Sequence, residues 1–251
     1  MIHIHKNIYQ YLEEINEGVL RNIPTTDSKV KSQSVLDVGC GSGALSLAIK
    51  QKGYEVWGIE ENKEASSTAE LRIDRVIREN LYNYEKISAL IGERTFSYLI
   101  FSDVLEHTYD PFLILSQYLK FLEPNGKVII SVPNALTWTN RIAFLFGSFE
   151  YSDTGVMDRT HIRWFTFRTA KRLVKATGCK IIKIDFTPYV IRSALPLIKK
   201  IFNSKNQENR RQLIDSKAYK FYMKYIYFIE YNLTYIFKRL FGFRIIIIGQ
   251  K

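Results

Sequence analysis

The sequence predicts an α/β protein with a doubly wound sheet, in which most strands are parallel and helices cover both faces. Short apolar runs typical of buried strands alternate with amphipathic segments of helical period between residues 34 and 186. A glycine-rich turn follows the first of these runs, at residues 39–43. Doubly wound sheets bind ligands outside the carboxyl ends of their strands, so the turn also predicts where a ligand lies.

The size and composition of the chain fit a globular protein in a reducing compartment. Its 251 residues are enough for one α/β domain with appended elements. Apolar residues make up 46% and charged residues 24%, which excludes a disordered chain. Two cysteines, Cys40 and Cys179, are too few for a disulfide framework, and the N-terminus lacks the apolar core of a signal peptide. We therefore expect a cytoplasmic protein.

Four segments follow one another along the chain. Residues 1–33 predict an N-terminal helix, over 2–21, and a polar linker. Residues 34–186 are the predicted core. Residues 187–242 are aromatic, basic and helical in pattern, which predicts an insertion that acts as a substrate lid or lies on a membrane surface. Residues 243–251 are predicted to return to the sheet as its last strand.

The elements of the core are assigned from the period of their apolar residues. Proline and glycine mark several of the boundaries, and the segment Pro124-Asn125-Gly126 is expected to stop the helix before it. Strands are predicted at residues 34–38, 54–60, 75–78, 96–102, 127–132 and 180–186, and helices at 44–51, 63–73, 111–122 and 166–177.

The glycine turn is the strongest indication of function. Gly39, Gly41 and Gly43 let the backbone approach a ligand closely, because no Cβ atom stands in the way. Cys40 lies within the turn, and the helix that starts near Gly43 directs free N–H groups into the same space. Such a helix end suits a carboxylate, while Asp37 can orient the loop or face an ammonium group.

Residues that follow the later strands complete a predicted nucleoside site. Glu60 ends the second strand and can accept hydrogen bonds from both hydroxyls of a ribose. Asn80 follows the third strand and is placed to bond the edge of an adenine, and its neighbour Leu81 can cover the ring. Ser102 and Asp103 follow the fourth strand at the same edge of the sheet.

These residues leave two cofactors open. The turn also satisfies the looser G-x-G-x-x-A pattern of dinucleotide binding. The ribose contact of Glu60 serves NAD as well as S-adenosylmethionine, so it does not separate them. Asp37 and Gly43 are additional to the dinucleotide pattern, and they favour S-adenosylmethionine.

Three motifs resemble those of class I S-adenosylmethionine-dependent methyltransferases, in the order and spacing of that family. Residues 35–44 resemble its first motif, 102–107 the motif after its fourth strand, and 122–133 the entry to its fifth strand. The resemblance implies a Rossmann-like sheet of seven strands, with the last strand antiparallel between the fifth and sixth. Residues 243–248 would supply that strand, and S-adenosylmethionine would be the cofactor.

Residues 158–166, with the sequence DRTHIRWFT, are similar to a segment in a subgroup of these enzymes. That subgroup is associated with polysaccharide and lipid-linked sugar assembly and with quinone-type O-methylation. The resemblance implies O-methylation of a small or lipid-linked acceptor, with a sugar hydroxyl in bacterial glycan biosynthesis preferred. Two alternatives stay open: an NAD-dependent oxidoreductase, and a cofactor-binding partner subunit that has lost catalysis.

Two histidines are candidates for the general base of methyl transfer. The cofactor is already activated, so the protein mainly positions the acceptor, and a hydroxyl acceptor gains from a base with a pKa near neutrality. His107 follows the fourth strand, and His161 lies in the segment at 158–166, where Asp158 can orient it. Asp103 and Glu106 are expected to hold the loop or bound water, and we expect a metal-independent enzyme.

The positive charge of the chain is concentrated near its end. The net charge is +11, and residues 187–251 hold 13 basic and 3 acidic residues. Apolar residues of 217–241 recur at helical spacing, which predicts an amphipathic helix. Charges within that segment argue against a helix that spans a membrane, at Lys224, Glu230, Lys238 and Arg239.

Three roles of this basic segment stay open. It can cover the sheet, form the contact of a homodimer, or lie on the inner face of a membrane through its aromatic and basic residues. Nucleic acid is not an expected partner, because no recognisable nucleic-acid-binding module is present.

Overall fold

Seven strands form one sheet in the computed structural model, which describes residues 15–26, 33–191, 193 and 220–251. The strand order is β3-β2-β1-β4-β5-β7-β6. The pairs among the first five strands are parallel, and β7 is antiparallel to both of its neighbours. The strands are β1 (Ser34–Val38), β2 (Glu55–Ile59), β3 (Arg75–Ile77), β4 (Phe96–Ser102), β5 (Leu122–Pro133), β6 (Lys180–Pro188) and β7 (Gly242–Gln250). The predicted fold class, including the inserted antiparallel strand, is confirmed.

The central strands are covered on both faces. β1 is buried along its whole length, as expected of a parallel strand between two helical layers. Its residues alternate between the two cores: Leu36 and Val38 pack in one apolar cluster, and Val35 packs in the other. In the described part of the chain the helices are α1 (Glu17–Leu20), α2 (Ala44–Lys50), α3 (Lys63–Glu70), α4 (Tyr84–Ile91), α5 (Pro111–Tyr118), α6 (Trp138–Leu145), α7 (Phe167–Ala176), α8 (Tyr227–Thr234) and α9 (Lys238–Phe241).

Two helices, α4 and α6, were not predicted from the sequence. α6 buries none of its residues, so no apolar stripe marks it. Only Ile87 and Ile91 of α4 are buried, which is too short a pattern to reveal a helix. Both helices begin beside residues typical of helix starts, since Thr137 caps α6 through its hydroxyl and Asn83 precedes α4.

The predicted boundary between α5 and β5 was wrong. The helix was expected to run to residue 122, but α5 ends at Tyr118 and a 3-10 turn follows. Leu122 already pairs with Phe96 of β4, and pairing resumes only at Lys127. Pro124-Asn125-Gly126 therefore bulges out of a strand, with Asn125 at a φ of 64°, and does not stop a helix.

The predicted C-terminal helix is broken in the part that the structure describes. A π-helical turn (Tyr222–Ile226) leads into α8, and α9 is separated from α8 by a turn. Glu230 is buried and accepts hydrogen bonds from the hydroxyl of Tyr222 and from the backbone N–H groups of Val190 and Ile191. That glutamate therefore ties α8 to the end of β6. Most of the predicted helix at 189–203, and residues 211–219 of the next, lie outside the described residues.

None of the described helices is long and apolar enough to cross a lipid bilayer. At the N-terminal end, most of the predicted helix at 2–21 lies outside the described residues, and the described part is helical only over α1. The predicted linker at 24–33 is described at 24–26 and 33, where the chain has no regular structure.

The short helix α1 is held against the sheet by one buried carboxylate. Asp185 of β6 accepts two hydrogen bonds from the guanidinium of Arg21, at 2.8 and 2.9 Å. Asn22 and the hydroxyl of Tyr231 donate to the same carboxylate. Burial acts to raise the pKa of Asp185, but the hydrogen bonds and charge of Arg21 outweigh it and hold the pKa below its usual value.

We expect Asp185→Ala to lower the free energy of unfolding by about 3 kcal/mol, because it leaves Arg21 without its buried partner. Chemical denaturation at pH 7 measures this difference. The pKa of Asp185 is lower in the folded protein than in the unfolded chain, so its charged form stabilises the fold at pH values above the unfolded pKa. This stabilisation is lost as the pH falls through the folded pKa. The difference between wild type and variant should therefore shrink below about pH 4.

The matched control is Asp153→Ala, which removes an exposed carboxylate paired with Arg159. An exposed pair of this kind is worth about 0–1 kcal/mol. If both variants lost the same free energy of unfolding, the structural role given to Asp185 would be contradicted.

Candidate active site

The turn after β1 is folded around three glycines in left-handed conformations. Gly39, Gly41 and Gly43 have φ values of 74°, 55° and 79°, which side chains with a Cβ rarely adopt. A Cβ on Gly39 would lie 2.6 Å from a methyl carbon of Val104. The N–H groups of Gly39 and Cys40 both donate to the carbonyl of Ile59 in β2, so the turn is fixed to the neighbouring strand.

Glu60 links the glycine turn after β1 to the loop that follows β2. Its buried carboxylate accepts hydrogen bonds from the backbone N–H of Gly41 at 3.0 Å and from that of Asn62 at 2.8 Å. A carboxylate offers about four acceptor positions, so these two bonds are compatible with the predicted ribose contact. Glu60 therefore fixes the backbone of the two loops around the site, and it also faces the site itself.

A cavity of about 560 Å³ opens at the carboxyl ends of β1, β2, β3 and β4. This volume lies within the range of roughly 300–1,000 Å³ typical of cofactor pockets. The predicted site residues that line it are Gly39, Glu60, Asn80, Leu81, Asp103 and His107. The glycine turn, the acidic residue after β2 and the volume together fit the nucleoside of S-adenosylmethionine.

The other predicted site residues are set back from the cavity wall. Cys40 is buried beneath the turn, where its sulfur lies against Gly58. Gly43 is the N-cap of α2, and Ser102 accepts a hydrogen bond from Asn16. In this structure these residues, with Gly41, form the frame of the pocket and not its lining.

Asp37 supports the first helix. One oxygen of its carboxylate accepts a 2.5 Å hydrogen bond from the hydroxyl of Ser46 in α2, and the other accepts none from the residues that the structure describes. Burial raises the pKa of Asp37 to about 6, against the effect of the Ser46 bond and with a contribution from the charge of Glu60. Of the two predicted roles, the one that this geometry supports is orientation of the loop.

Asn80 lines the cavity, but both ends of its side-chain amide make hydrogen bonds within the protein. Its amide nitrogen donates to Glu61, and its amide oxygen accepts from the backbone N–H of Tyr82. This is the geometry of a turn-forming asparagine. The contact with adenine therefore stays a prediction, as does the covering role of Leu81.

A buried polar network after β4 was not predicted. Asp103 has a φ of 57°, and its carboxylate accepts hydrogen bonds from the hydroxyl of Ser131 and from Arg244 of β7. Asn16 donates to the hydroxyls of Ser131 and Ser102. The last strand and the segment before α1 thus meet at the end of β4, and nothing in the spacing of these residues along the chain indicates it.

The two predicted catalytic histidines lie in contact. The ring centres of His107 and His161 are 4.8 Å apart, although 54 positions separate the residues in the sequence. The Nδ1 of His107 lies 3.2 Å from the carbonyl oxygen of Thr160, and that of His161 lies 2.9 Å from the carbonyl oxygen of Val156. Burial, and repulsion from His161, lower the pKa of His107.

Glu106 lies beside both histidines and is almost fully buried. Its backbone carbonyl accepts hydrogen bonds from the N–H groups of Ile162 and Arg163, which joins the turn after β4 to the segment at 158–166. Burial raises the pKa of the Glu106 side chain well above its usual value, and the charge of Asp103 adds to this effect.

The comparisons with known proteins agree with this site. A family described as a methyltransferase domain matches residues 6–184. The ubiquinone biosynthesis O-methyltransferase of Idiomarina loihiensis is 30% identical over 128 residues. That match covers 50% of this chain and 53% of the relative, so the chain spans about half the length of this curated relative.

Solved structures of low sequence identity share the fold. A SAM-dependent methyltransferase from Archaeoglobus fulgidus superposes with a TM-score of 0.58 at 22% identity, over 92% of this chain and 90% of the other. One from Methanosarcina mazei superposes with a TM-score of 0.56 at 17% identity, over 95% and 99% of the two chains.

The chain belongs to the methyltransferase domain family. The predicted methyltransferase family is confirmed by this match, and the predicted class I fold is shared with solved structures named as SAM-dependent methyltransferases. The alternative of an NAD-dependent oxidoreductase has no support in these comparisons.

We expect Gly39→Ala to weaken binding of S-adenosylhomocysteine about tenfold or more, which corresponds to about 1.4 kcal/mol. The added methyl group would push Val104 into the cavity that both residues line. Calorimetric titration of the purified variant measures the loss.

Gly92→Ala is the matched control, since Gly92 also has a left-handed φ, of 68°, but nothing lies within 4 Å of a Cβ placed there. It should lose stability, by about 1–2 kcal/mol, and keep its cofactor affinity. If both variants bound S-adenosylhomocysteine as tightly as wild type, the turn would not form the cofactor site.

Proposed function

We propose that this chain transfers the methyl group of S-adenosylmethionine to the oxygen of a small, ring-bearing hydroxyl acceptor. The observation that carries the proposal is the position of His107. It lines the same cavity as Gly39 and Glu60, in the stretch that follows β4, and it contacts His161. A group that activates a hydroxyl therefore lies beside the cofactor site.

The residues of the cavity divide into two groups by their chemistry. Gly39 and Glu60 hold the nucleoside end, where backbone approach and an acidic acceptor are needed. His107 also lines the cavity and His161 packs against it, so we assign the activation of the acceptor hydroxyl to this pair. When bound, S-adenosylmethionine would supply the activated methyl group, and the histidine pair would take up the proton that the acceptor hydroxyl loses on methylation.

An aromatic acceptor is supported better than the sugar that the sequence favoured. The curated relatives from Idiomarina loihiensis, Psychrobacter cryohalolentis and Bradyrhizobium diazoefficiens are named ubiquinone biosynthesis O-methyltransferases, a name that points to a quinone-type acceptor and not to a glycan. Trp164 lies 6.1 Å from His161, centre to centre, and Phe149 and Tyr151 pack against Trp164. Aromatic side chains of this kind stack on planar rings. We therefore infer a phenolic hydroxyl as the acceptor.

Labelled S-adenosylmethionine, offered with a panel of phenols, quinols and nucleotide sugars, tests this proposal. We expect label to pass to phenolic acceptors. His107→Ala and His161→Ala should each lower kcat by about 10²–10⁴, because the hydroxyl is no longer activated. Binding of S-adenosylhomocysteine to His161→Ala should stay as tight as in the wild type and so serves as the control.

Two results would contradict the proposal. Transfer to sugars alone would exclude the phenolic acceptor. Normal product formation by both histidine variants would remove their catalytic role, and an absence of transfer by the wild type to every acceptor would favour the partner-subunit alternative.

We also infer that the segment from 220 to 241 contacts an anionic membrane surface. Large apolar side chains are exposed there, including Phe228, Leu233 and Ile236, which are 71–82% accessible. Lys220 and Lys224 are exposed on the same segment. Exposed aromatic residues combined with basic ones are typical of helices that lie on anionic lipid.

Sedimentation with phosphatidylglycerol vesicles tests this inference. We expect the full chain to pellet at low salt and to be released as the salt concentration rises, because the attraction is screened. The triple variant Phe228→Ser, Leu233→Ser, Ile236→Ser should stay in the supernatant.

The control for this experiment is Leu71→Ser, which changes an exposed leucine at the end of α3. It should pellet like wild type. A wild type that does not pellet at low salt would contradict the inference, and a dimer that only the triple variant disrupts would assign the surface to a second copy of the chain.

A further inference from the structure

Tyr82 links two loops at the rim of the cofactor cavity. It lies in the loop that follows β3, it lines the cavity, and its hydroxyl accepts a 2.8 Å hydrogen bond from the backbone N–H of Tyr109. Tyr109 lies in the loop that follows β4, next to Thr108, which lines the same cavity. The rings of the two tyrosines are 6.4 Å apart, centre to centre. The side chain of Tyr82 thus connects two walls of the cavity.

The order of the strands shows what this link spans. β3 and β4 are separated in the sheet by β2 and β1. Neighbouring strands lie about 4.8 Å apart, so roughly 14 Å separate β3 from β4. The glycine turn at 39–43 follows β1, and Glu60 follows β2. The bond between Tyr82 and Tyr109 therefore joins loops on either side of the groups that we assign to the nucleoside.

The loop that follows β3 is fixed to a packed helix. The hydroxyl of Tyr118 in α5 donates a 2.8 Å hydrogen bond to the carbonyl of Leu81, the residue before Tyr82. Tyr109 directly precedes Asp110, whose side chain caps the same helix. Because α5 is packed in an apolar core, it is a rigid anchor. Two hydrogen bonds thus hold the loop after β3 to α5 and its first turn, and one of them needs the hydroxyl of Tyr82.

The peptide of Tyr109 is also held from the side of the proposed acceptor. The guanidinium of Arg163 donates to the carbonyl oxygen of Tyr109 from its Nε, at 2.9 Å, and from one of its Nη atoms. Arg163 belongs to the segment at 158–166, which carries His161. Tyr109 is thus bonded through its N–H to the cofactor side and through its C=O to the acceptor side. A movement of Tyr82 is therefore transmitted to the segment that carries His161.

We propose that Tyr82 is a positioning residue that closes the cavity over the cofactor and couples cofactor binding to the segment at 158–166. The proposal rests on the cofactor cavity assigned above and on nothing about the acceptor. The linked loops border the nucleoside end of the cavity, so their bond retains a cofactor there and has to open before the cofactor leaves. By linkage, cofactor binding favours the closed loops to the same extent.

Tyr82→Phe tests the hydroxyl alone, because the ring that pairs with Tyr109 is retained. Surface plasmon resonance on the full chain measures the rates at which S-adenosylhomocysteine binds and dissociates. We expect the variant to release the ligand about fivefold faster, which is the effect of one lost hydrogen bond. The association rate should stay the same or rise, because the loosened loops also open more readily. A fall in the association rate would contradict a closing role.

Tyr225→Phe is the matched control for this substitution. It removes the hydroxyl of a tyrosine that is 53% exposed, against 46% for Tyr82, and that lies outside the cavity. Both rates should equal those of the wild type. Each variant should also unfold at a Tm close to that of the wild type, since both changes are made at partly exposed side chains.

Hydrogen–deuterium exchange at saturating S-adenosylhomocysteine tests the coupling. None of the residues 158–166, which the structure describes, lines the cavity. We nevertheless expect the ligand to slow exchange in that segment of the wild type, where the amides of Ile162 and Arg163 donate to the carbonyl of Glu106. Tyr82→Phe should lose most of this protection and keep that of residues 60–62. Protection of 158–166 that is the same in both chains would overturn the coupling.

A double variant tests whether the two bonds to Tyr109 act together. Arg163→Met removes both donors to the carbonyl of Tyr109 and keeps an apolar stem. Combined with Tyr82→Phe, it should raise the dissociation rate of S-adenosylhomocysteine by less than the product of the two single effects, because both act through one peptide. Effects that multiply would contradict a shared route through Tyr109.

The cofactor cavity and the role of Tyr82 fail in distinguishable ways. A wild type that binds no S-adenosylhomocysteine would refute the cavity, and the role of Tyr82 with it. Binding that Gly39→Ala weakens, but whose rates Tyr82→Phe leaves unchanged, would keep the cavity and overturn the role of Tyr82.

Discussion

The hydrogen bonds from Gly41 and Asn62 to the buried carboxylate of Glu60 join the loops that follow β1 and β2. Each loop depends on the other, because the carbonyl of Ile59 also accepts two N–H groups of the glycine turn. The backbone thereby presents glycines in left-handed conformations toward one edge of the sheet. The polar groups of this junction form hydrogen bonds with one another, and the cavity for the cofactor opens beside them.

The end of the cavity that His107 lines depends on a different part of the sequence. Insertion of β7 between β5 and β6 brings Arg244 to Asp103, across 141 positions of the chain. The same network holds Asn16, so the two ends of the described chain stabilise the loop that carries Glu106 and His107. The position of the loop that carries His107 therefore rests on contacts that no local motif contains.

Local patterns explain why the strands and the cofactor end could be predicted. Buried strands such as β1 and β4 are continuous apolar runs, and the conformations of Gly39 and Gly43 need glycine whatever the rest of the chain does. The helix α6 was missed because it buries nothing. The contact between His107 and His161 was missed for a different reason: 54 positions separate the two residues in the sequence, and only the tertiary fold brings them together.

Hydrogen–deuterium exchange with and without S-adenosylhomocysteine tests most directly where the cofactor binds. If the cavity is the site, the ligand should slow exchange in three separate stretches that line it, at residues 60–62, 79–82 and 103–108, and leave residues 220–241 unchanged. Protection confined to residues outside the cavity, or the same three stretches protected by NADH and not by S-adenosylhomocysteine, would contradict the account.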